Sequence, residues 1–227
     1  MRRARLTRTH KQLRREVRGR KISRLCHFTQ ERSLPLILEE GALRSRAVLK
    51  LEDLPHHPND SWRADGHLDY ISLTIHFPNL YVLDRFRAQD STRPWLIVAC
   101  APALIWQEGT CFCPRNAARH SGDGIASGLE AFLSMFEHRE TDEWGERRAT
   151  HLPQCPTDLQ AEVLVRSGVR SDDFLGIIVR GPRQEERVRS LIQSFGVRLP
   201  IAVSKTMFDR DAVRNAAWNG RDIPLPF

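Results

Sequence analysis

One carboxylate, Glu162, lies inside an apolar stretch of the sequence, Gln160-Ala161-Glu162-Val163-Leu164-Val165. Side chains alternate between the two faces of a β-strand, so in a strand Glu162 and Leu164 would lie opposite Val163. An unpaired buried charge is costly, and a carboxylate in such a strand is therefore either paired or functional. Glu162 is the first candidate for a catalytic group, because a carboxylate can stabilise a developing positive charge or accept a proton.

Three further positions carry polar groups that could bind a ligand. His27 and Thr29 close the first predicted strand, and a ring nitrogen beside a hydroxyl can hold a ribose or an amide. Arg63 precedes the second predicted strand, where its planar guanidinium could clamp a pyrophosphate. Asn116 begins the run Asn-Ala-Ala, whose small side chains let a backbone approach a ligand. Each also has an ordinary interpretation: a satisfied histidine, a solvated loop arginine and a helix-capping asparagine.

The polar segment 139–158 precedes the predicted strand that contains the glutamate. An aromatic side chain among arginines can stack on a base while the arginines hold phosphates. The alternative is a solvated loop that one tryptophan anchors. The candidate nucleic-acid contacts in this segment are Trp144, Arg147, Arg148 and His151.

A zinc site is a competing interpretation, but the spacing of the cysteines does not favour it. Cys111 and Cys113 are separated by one residue, which is not the usual zinc-ligand spacing, and no second matching pair follows. The remaining candidates for ligands are Cys155, His120 and His151. The sequence also has no Gly-x-Gly-x-x-Gly motif, no Walker loop and no Gly-x-Ser-x-Gly motif. We therefore expect no metal.

Periodicity and turn residues predict a single α+β domain with a mixed or split sheet. Predicted strands outnumber predicted helices. The strands are expected at 22–28, 70–76, 95–99, 111–112, 160–165, 174–179 and 199–203. The helices are expected at 7–20, 33–40, 80–86, 125–138 and 182–195, with a helical turn at 102–106.

The positive charge of the chain is concentrated at its N-terminus. Residues 1–21 contain ten of the 35 Lys and Arg residues and one of the 28 acidic residues, so the remainder is close to neutral. We divide the chain into a basic N-terminal arm (1–21) and one domain (22–227). Such an arm suits a polyanion, because each neutralised phosphate releases counterions. A solvated helix or a disordered tail is the alternative.

No apolar run approaches the ~20 residues that a membrane-spanning helix needs. The basic N-terminus is not followed by the apolar region of a secretory signal. The five cysteines are an odd number, which indicates reduced thiols rather than a disulfide framework. We expect a cytoplasmic protein without a membrane partner.

Taken in order, these pieces resemble the DarT family of DNA ADP-ribosyltransferase toxins. The resemblance covers most of residues 22–203, and the order and spacing of its parts carry it rather than any one motif. The parts are Leu25-Cys26-His27-Phe28-Thr29 with a following Leu-Ile-Leu-x-x-Gly helix, Arg63 with Gly66, Leu68, Asp69 and Tyr70, the stretch 71–79, Asn116-Ala117-Ala118, and 160–165.

The resemblance implies an ADP-ribosyltransferase fold, NAD as the donor and a base of single-stranded DNA as the acceptor. It implies that Glu162 is the catalytic carboxylate and that Arg63 acts near the diphosphate or the acceptor. It also implies a macrodomain antitoxin of the DarG type as a partner. The residues expected to bind NAD are His27, Thr29, Tyr70, Ser72 and Asn116.

Two departures from the family pattern bear on the acceptor. The strand 71–79 is less aromatic than in the thymidine-modifying branch, which favours guanine over thymine, and the basic arm is longer than the family needs. Two alternative functions stay open: an NAD-dependent transferase that acts on RNA or protein, and a non-catalytic nucleic-acid-binding module.

Overall fold

The computed structural model describes residues 7–53, 66–138 and 147–227. These residues form a mixed sheet of eight strands and a separate two-stranded ribbon, with helices on both faces of the sheet. Only the pair β9–β10 is parallel, which confirms the predicted α+β class with a mixed sheet. The strands are β1 (Leu25–Gln30), β2 (Ala42–Leu43), β3 (Tyr70–Ile75), β4 (Trp95–Cys100), β5 (Cys111–Cys113), β6 (Ala126–Ser127), β7 (Glu162–Arg166), β8 (Val169–Arg170), β9 (Phe174–Val179) and β10 (Ile201–Val203).

The sheet has the strand order β10-β9-β4-β1-β3-β7-β5-β6, and β2 pairs with β8 in the ribbon. Strand β4 is buried along its whole length, because helices cover both faces of the sheet there. Its side chains alternate between two apolar clusters, one on each face. The helices are α1 (Arg8–Gly19), α2 (Leu34–Glu39), α3 (Arg46–Leu51), α4 (Leu80–Gln89), α5 (Gly128–Ser134), α6 (Pro182–Ser194) and α7 (Arg210–Trp218).

The sheet splits between β1 and β3. Strand β1 pairs with β4 at all six of its residues, but it pairs with β3 only at Leu25–Ile75 and Cys26–Thr74. Beyond Cys26 the two strands diverge, while β3 continues to pair with β7. A cleft therefore opens inside the sheet instead of at its edge.

Two of the helices were not predicted, and one is shorter than predicted. Asp209 caps α7 by accepting from the backbone N–H of Ala212, and the helix buries Val213 and two alanines. The N-cap and the apolar spacing were visible in the sequence, so this helix could have been found. Helix α5 begins at Gly128, not at 125, because Ala126 and Ser127 pair with β5.

Helix α1 contains most of the described part of the predicted arm, and it packs against the domain. Leu13 and Val17, four residues apart, are only 4% and 2% exposed and belong to one of the two main apolar clusters. Residues four apart lie on the same face of a helix, so two apolar side chains suffice to dock it. The basic side chains Arg14, Arg15 and Arg18 remain exposed.

A network of three polar side chains, two of them buried and the third, Asp222, 47% exposed, closes the joined end of the split. Arg24, which is 4% exposed, donates from Nε to the carbonyl oxygen of His76 at 2.9 Å. The Nε2 atom of His76 lies 2.7 Å from Oδ1 of Asp222, and Arg24 Nη2 lies 3.5 Å from the same oxygen. Asp222 thereby fastens the C-terminal segment to the start of β1 and to the end of β3.

None of the helices in the described ranges is both long enough and apolar enough to cross a membrane.

Truncation of Leu13 tests whether α1 belongs to the domain. We expect Leu13→Ala to lower the free energy of unfolding by about 2–5 kcal/mol, because it removes a buried side chain and leaves a cavity. The exposed neighbour gives a matched control, and Arg14→Ala is expected to change the free energy of unfolding by less than about 0.5 kcal/mol. Chemical denaturation measures both values. Equal stability of the two variants would show that the helix does not contribute to the core.

Asp222→Asn tests the ion network through its dependence on pH. The hydrogen bond from His76 lowers the pKa of Asp222 from 3.8 to about 2. A lowered carboxyl pKa stabilises the folded state above pH 3.8, and this contribution is lost as the pH falls to about 2. We therefore expect the variant to be less stable at pH 7 and the difference to disappear between pH 4 and about 2. Thermal unfolding across this range measures the difference.

Asp211→Asn is the control for this experiment. Asp211 also faces an arginine, Arg214, at 2.9 Å, but its side chain is 64% exposed. Exposed ion pairs contribute little, so this variant should unfold like the wild type at every pH. A difference for Asp222→Asn that does not change with pH would contradict an electrostatic origin.

Candidate active site

The cleft between the diverging strands encloses a cavity of about 460 Å³. It lies where β1 and β3 separate, and helices α2 and α4 contribute to its walls. Every predicted catalytic or NAD-binding residue within the described part of the chain lines it: His27, Thr29, Tyr70, Ser72, Asn116 and Glu162. The structure thus brings together residues that are up to 135 positions apart in the sequence.

His27 bridges the split. Its ring Nδ1 lies 2.9 Å from the backbone oxygen of Ser72, at a level where the β1–β3 ladder has already ended. A carbonyl oxygen can only accept, so Nδ1 carries the proton of this contact. In the neutral ring Nε2 is then the acceptor. The side chain therefore joins the two strands without closing the space between them.

Glu162 is the first residue of β7, and only 7% of its surface is exposed. The hydroxyl of Ser72 donates to Oε2 of Glu162 at 2.5 Å. Ser72 faces Leu164 across the β3–β7 pair, so Ser72 and Glu162 are diagonal neighbours on one face of the sheet. The alternation predicted for this strand is confirmed, since Val163 and Val165 lie in the apolar cluster of the opposite face. The arrangement holds a carboxylate in a fixed orientation at the wall of the cleft.

Tyr70 and Asn116 also line the cleft; Tyr70 pairs with Arg166 at the end of β7 that is opposite Glu162. The pKa of Tyr70 is raised, mainly by burial. The ring of Tyr70 packs edge-on against the ring of His67, with centroids 5.4 Å apart. The side-chain oxygen of Asn116 accepts from the N–H of Ala118 at 3.0 Å, which is a local turn rather than a helix cap. Its side-chain NH₂ makes no hydrogen bond with a residue of the described ranges.

Sequence reasoning missed the arginines around the cleft. Arg32 and Arg85 line it, are exposed, and make no ion pair with any carboxylate in the described ranges. Arg44 also lines it, but it pairs with Glu40 at 3.2 Å. Arg32 follows the strand of His27 by two residues, and that position was the signal that could have identified it. Guanidinium groups at such a rim suit a diphosphate.

The described part of the 139–158 segment does not line the cleft. The guanidinium of Arg147 donates to the carbonyl oxygens of Cys155 and Leu152 at 2.9 and 3.3 Å. Arg148 lies over the ring of Trp218, 4.3 Å from its centroid. Both contacts anchor this part of the segment to the domain. Contact of Arg147 and Arg148 with nucleic acid remains a prediction.

His151 is buried, with its Nε2 3.1 Å from the carbonyl oxygen of Pro156. Burial, with a contribution from the nearby Arg147 charge, lowers the pKa of His151 to about 4. The ring is therefore neutral near pH 7 and helps to hold the segment in place. A DNA contact of His151 likewise remains a prediction, and Arg63 and Trp144 lie outside the described residues.

Within the described ranges, no group of three or more His, Cys, Asp or Glu side chains could hold a metal ion. The cysteines are free thiols, and four of the five are buried. Burial raises the pKa of Cys26 to about 12, so this thiol stays protonated beside the cleft. The polar groups that line the cleft include the carboxylate of Glu162, the hydroxyls of Thr29 and Ser72 and the imidazole of His27.

Comparison with solved structures identifies chains of similar fold, among them three DarT or DarTG complexes. Two are from Thermus sp. 2.9: DarT in complex with NAD+ (16% identity, 83% of this chain and 98% of that chain, TM-score 0.58) and DarT in complex with ADP-ribosylated ssDNA (17%, 83% and 97%, 0.60). The third is Thermosipho africanus DarTG in complex with ADP-ribose (17%, 82% and 51%, 0.56). At these identities the comparison shows a shared fold.

A family model provides the assignment that the structural comparison does not. A search of curated proteins gives no match. The model described as "ssDNA thymidine ADP-ribosyltransferase, DarT" matches residues 26–209, which is most of the chain. The matched range contains the residues of the cleft, including all six that were predicted to act in catalysis or to bind NAD. This protein belongs to the DarT family of single-stranded DNA ADP-ribosyltransferases.

Proposed function

We propose that this protein transfers ADP-ribose from NAD to a base of single-stranded DNA and acts as a toxin. The observation that carries the proposal is the placement of Glu162 in the cleft, oriented by the hydroxyl of Ser72 across from the imidazole of His27. The similar Thermus structures support it, since they contain NAD+ and ADP-ribosylated ssDNA.

Glu162 acts on both bonds that change. As the bond between nicotinamide and the ribose breaks, nicotinamide leaves with the bonding electrons, and positive charge develops on the ribose. The carboxylate stabilises that charge. A nitrogen of the acceptor base then bonds to the anomeric carbon and releases its proton to Glu162, a general-base role that typically contributes ~10²–10⁴-fold. The acceptor must be unstacked to reach the ribose, which favours a single strand.

The other cleft residues bind and orient the donor. The ring of His27, held by the contact of its Nδ1 with Ser72, contacts a ribose hydroxyl, and Thr29 and Asn116 add further polar groups. Arg32 and Arg85 supply positive charge for the diphosphate. The prediction that Arg63 acts near the diphosphate or the acceptor is retained, although this residue lies outside the described ranges.

Two acceptor bases are candidates. The sequence of β3 favours guanine, because it is less aromatic than in the thymidine-modifying branch. The family model, in contrast, is described as a thymidine ADP-ribosyltransferase, which favours thymine. Incubation with NAD and four oligonucleotides, each containing a single type of base at the acceptor position, decides between them by the mass of the product.

A macrodomain antitoxin of the DarG type is the proposed partner. The similarity to Thermosipho africanus DarTG supports this pairing. The enzyme would act in the cytoplasm, where DNA is accessible and thiols stay reduced. Removal of ADP-ribose from the modified oligonucleotide by a purified macrodomain protein would test the partnership directly.

Glu162→Gln tests the catalytic assignment. We expect transfer to fall by at least about 100-fold, because the amide can neither carry the charge nor accept the proton. Glu186→Gln is the matched control, since Glu186 is an exposed carboxylate on α6 that does not line the cleft. Mass spectrometry of DNA, RNA and protein substrates gives the rate and the acceptor class. Wild-type rates for Glu162→Gln, with native circular dichroism, would contradict the assignment.

Charge reversal on α1 tests whether the basic surface of this helix contacts DNA. We propose that Arg14, Arg15 and Arg18 contact phosphates, because all three are exposed opposite the buried face. Deletion of the segment would also remove Leu13 and Val17 from the core, so reversal to glutamate is the cleaner change. We expect the slope of log K against log salt to fall by about 0.7 for each phosphate of a single strand that the variant no longer neutralises.

The control in this experiment is hydrolysis of NAD without DNA, which should stay at the wild-type rate. Fluorescence anisotropy with a labelled single strand, measured at several salt concentrations, gives the slope. An unchanged slope in the triple variant would show that α1 does not contact phosphates.

A further inference from the structure

A second groove lies beside the end of α4 and the start of α6. It has a volume of about 830 Å³ and is open to solvent along the exposed residues 91–94. The proposed function does not use it. Five of the residues that line it are arginines: Arg87, Arg93, Arg180, Arg183 and Arg187.

Part of this positive charge has no acidic partner. Arg93 and Arg187 pair with Asp90 and Glu31 at 2.6 and 2.8 Å. Arg180 and Arg183 are exposed, and neither makes an ion pair with a carboxylate in the described ranges. Arg87 pairs with Asp84 at 3.4 Å. Burial is the main cause that lowers the pKa of Arg87, and the charge of Arg180 lowers it further. The groove therefore holds like charges close together, and an anion would relieve their repulsion.

The backbone at the groove also favours an anion. Helix α6 has 13 residues, begins at Pro182 and has no side-chain cap at Gly181. A side chain added at Gly181 would meet nothing within 4 Å, so a ligand can approach the backbone there. The N-terminus of a helix carries a partial positive charge and unpaired N–H groups. This feature adds to the arginines rather than standing alone.

Trp95 forms part of the wall of the groove and is 4% exposed. Its Nε1 has no hydrogen-bond partner in the described ranges, and the atom is itself buried. The positive character of the groove therefore comes from the guanidinium groups and the helix terminus.

The groove adjoins the candidate active site. Phe86 lines the cleft, and its ring stacks on Trp95 with centroids 5.8 Å apart and planes 10° apart. Phe28 packs against both rings, so an aromatic cluster connects the walls of the two spaces. Arg85 lines the cleft and Arg87 lines the groove, so positive charge continues from one to the other along α4. A chain of phosphates fits this continuity better than an isolated phosphate does.

We propose that this groove binds the phosphodiester backbone of the DNA strand that flanks the acceptor base. The inference rests on the proposed function and adds to it a path for the substrate outside the cleft. Arg180 and Arg183 neutralise phosphates of the strand, and the backbone N–H of Arg183 in the first turn of α6 donates to them. Because the contacts are to the backbone, the groove adds affinity without adding base specificity.

Arg183→Glu, with Arg198→Glu as the matched control, tests the groove. Both side chains are exposed, and Arg198 follows the opposite end of α6 and does not line the groove. The substrates are single strands of about 20 and about five nucleotides with the acceptor base at the centre, since the shorter strand cannot reach far beyond the cleft. KM for each strand is measured with NAD in excess. Kd for each strand is measured by fluorescence anisotropy without NAD.

We expect Arg183→Glu to raise Kd and KM for the long strand about fourfold at 0.15 M salt, and to lower the salt slope by about 0.7, because the variant neutralises one phosphate fewer. The short strand should be modified at the wild-type rate by both variants, and Arg198→Glu should match the wild type on both strands. Arg180→Glu combined with Arg183→Glu should double the change in slope.

Three negative results have different meanings. If Arg183→Glu and Arg198→Glu affect the long strand equally while transfer proceeds, the groove is not part of the DNA path and the inference is overturned alone. If the wild type modifies neither strand, the proposed function fails and the inference fails with it. If Arg183→Glu weakens binding of inorganic pyrophosphate but leaves the long strand unaffected, the groove binds a small phosphate compound and the DNA assignment is overturned.

Discussion

The hydrogen bond between the ring of His27 and the backbone oxygen of Ser72 connects β1 and β3 where their backbone pairing has ended, and the shape of the cleft depends on it. Where a regular sheet would place a backbone hydrogen bond between β1 and β3, a side chain spans the gap instead. The imidazole is longer than a ladder bond, so the strands stay connected while a cleft opens between them. A ladder that continued to Gln30 would leave no space for a ligand in the middle of the sheet.

The two ends of this split carry different sets of side chains. At the joined end, Arg24 and His76 flank the last paired residues, and Asp222 fastens the C-terminal segment onto them. At the open end, the strands carry the hydroxyl, the imidazole and the carboxylate into one cavity. Arg24 and Asp222 both lie outside the residues that the family model matches, so this chain secures the closed end with segments beyond the matched domain.

The carboxylate of Glu162 is buried at the wall of the cleft. The hydroxyl of Ser72 donates to it and carries no charge of its own, so this contact does not neutralise the carboxylate. Arg32 and Arg85 line the cleft, and further arginines line the neighbouring groove. In the proposed function, the carboxylate acts at the ribose and the arginines act on phosphates.

The sequence by itself determined most of the longer elements and the polar residues that line the cleft. Alternation in the strand of Glu162, the Pro182 start of α6 and the run of β4 are local signals, and the structure confirms all three. The six residues of the cleft were also found, because polar groups at strand ends are visible without a fold. Local signals suffice for these features, since each depends on neighbours within a few residues.

Only the tertiary structure decided where the strands separate and which charges are exposed. Leu13 and Val17 are too few to predict that a basic helix docks on the domain, and the surface that buries them comes from residues about ninety positions away, such as Ile105. The groove of arginines likewise joins α4 to α6, which are distant in the sequence. Contacts of this kind depend on the packing of remote elements, and spacing along the chain does not encode them.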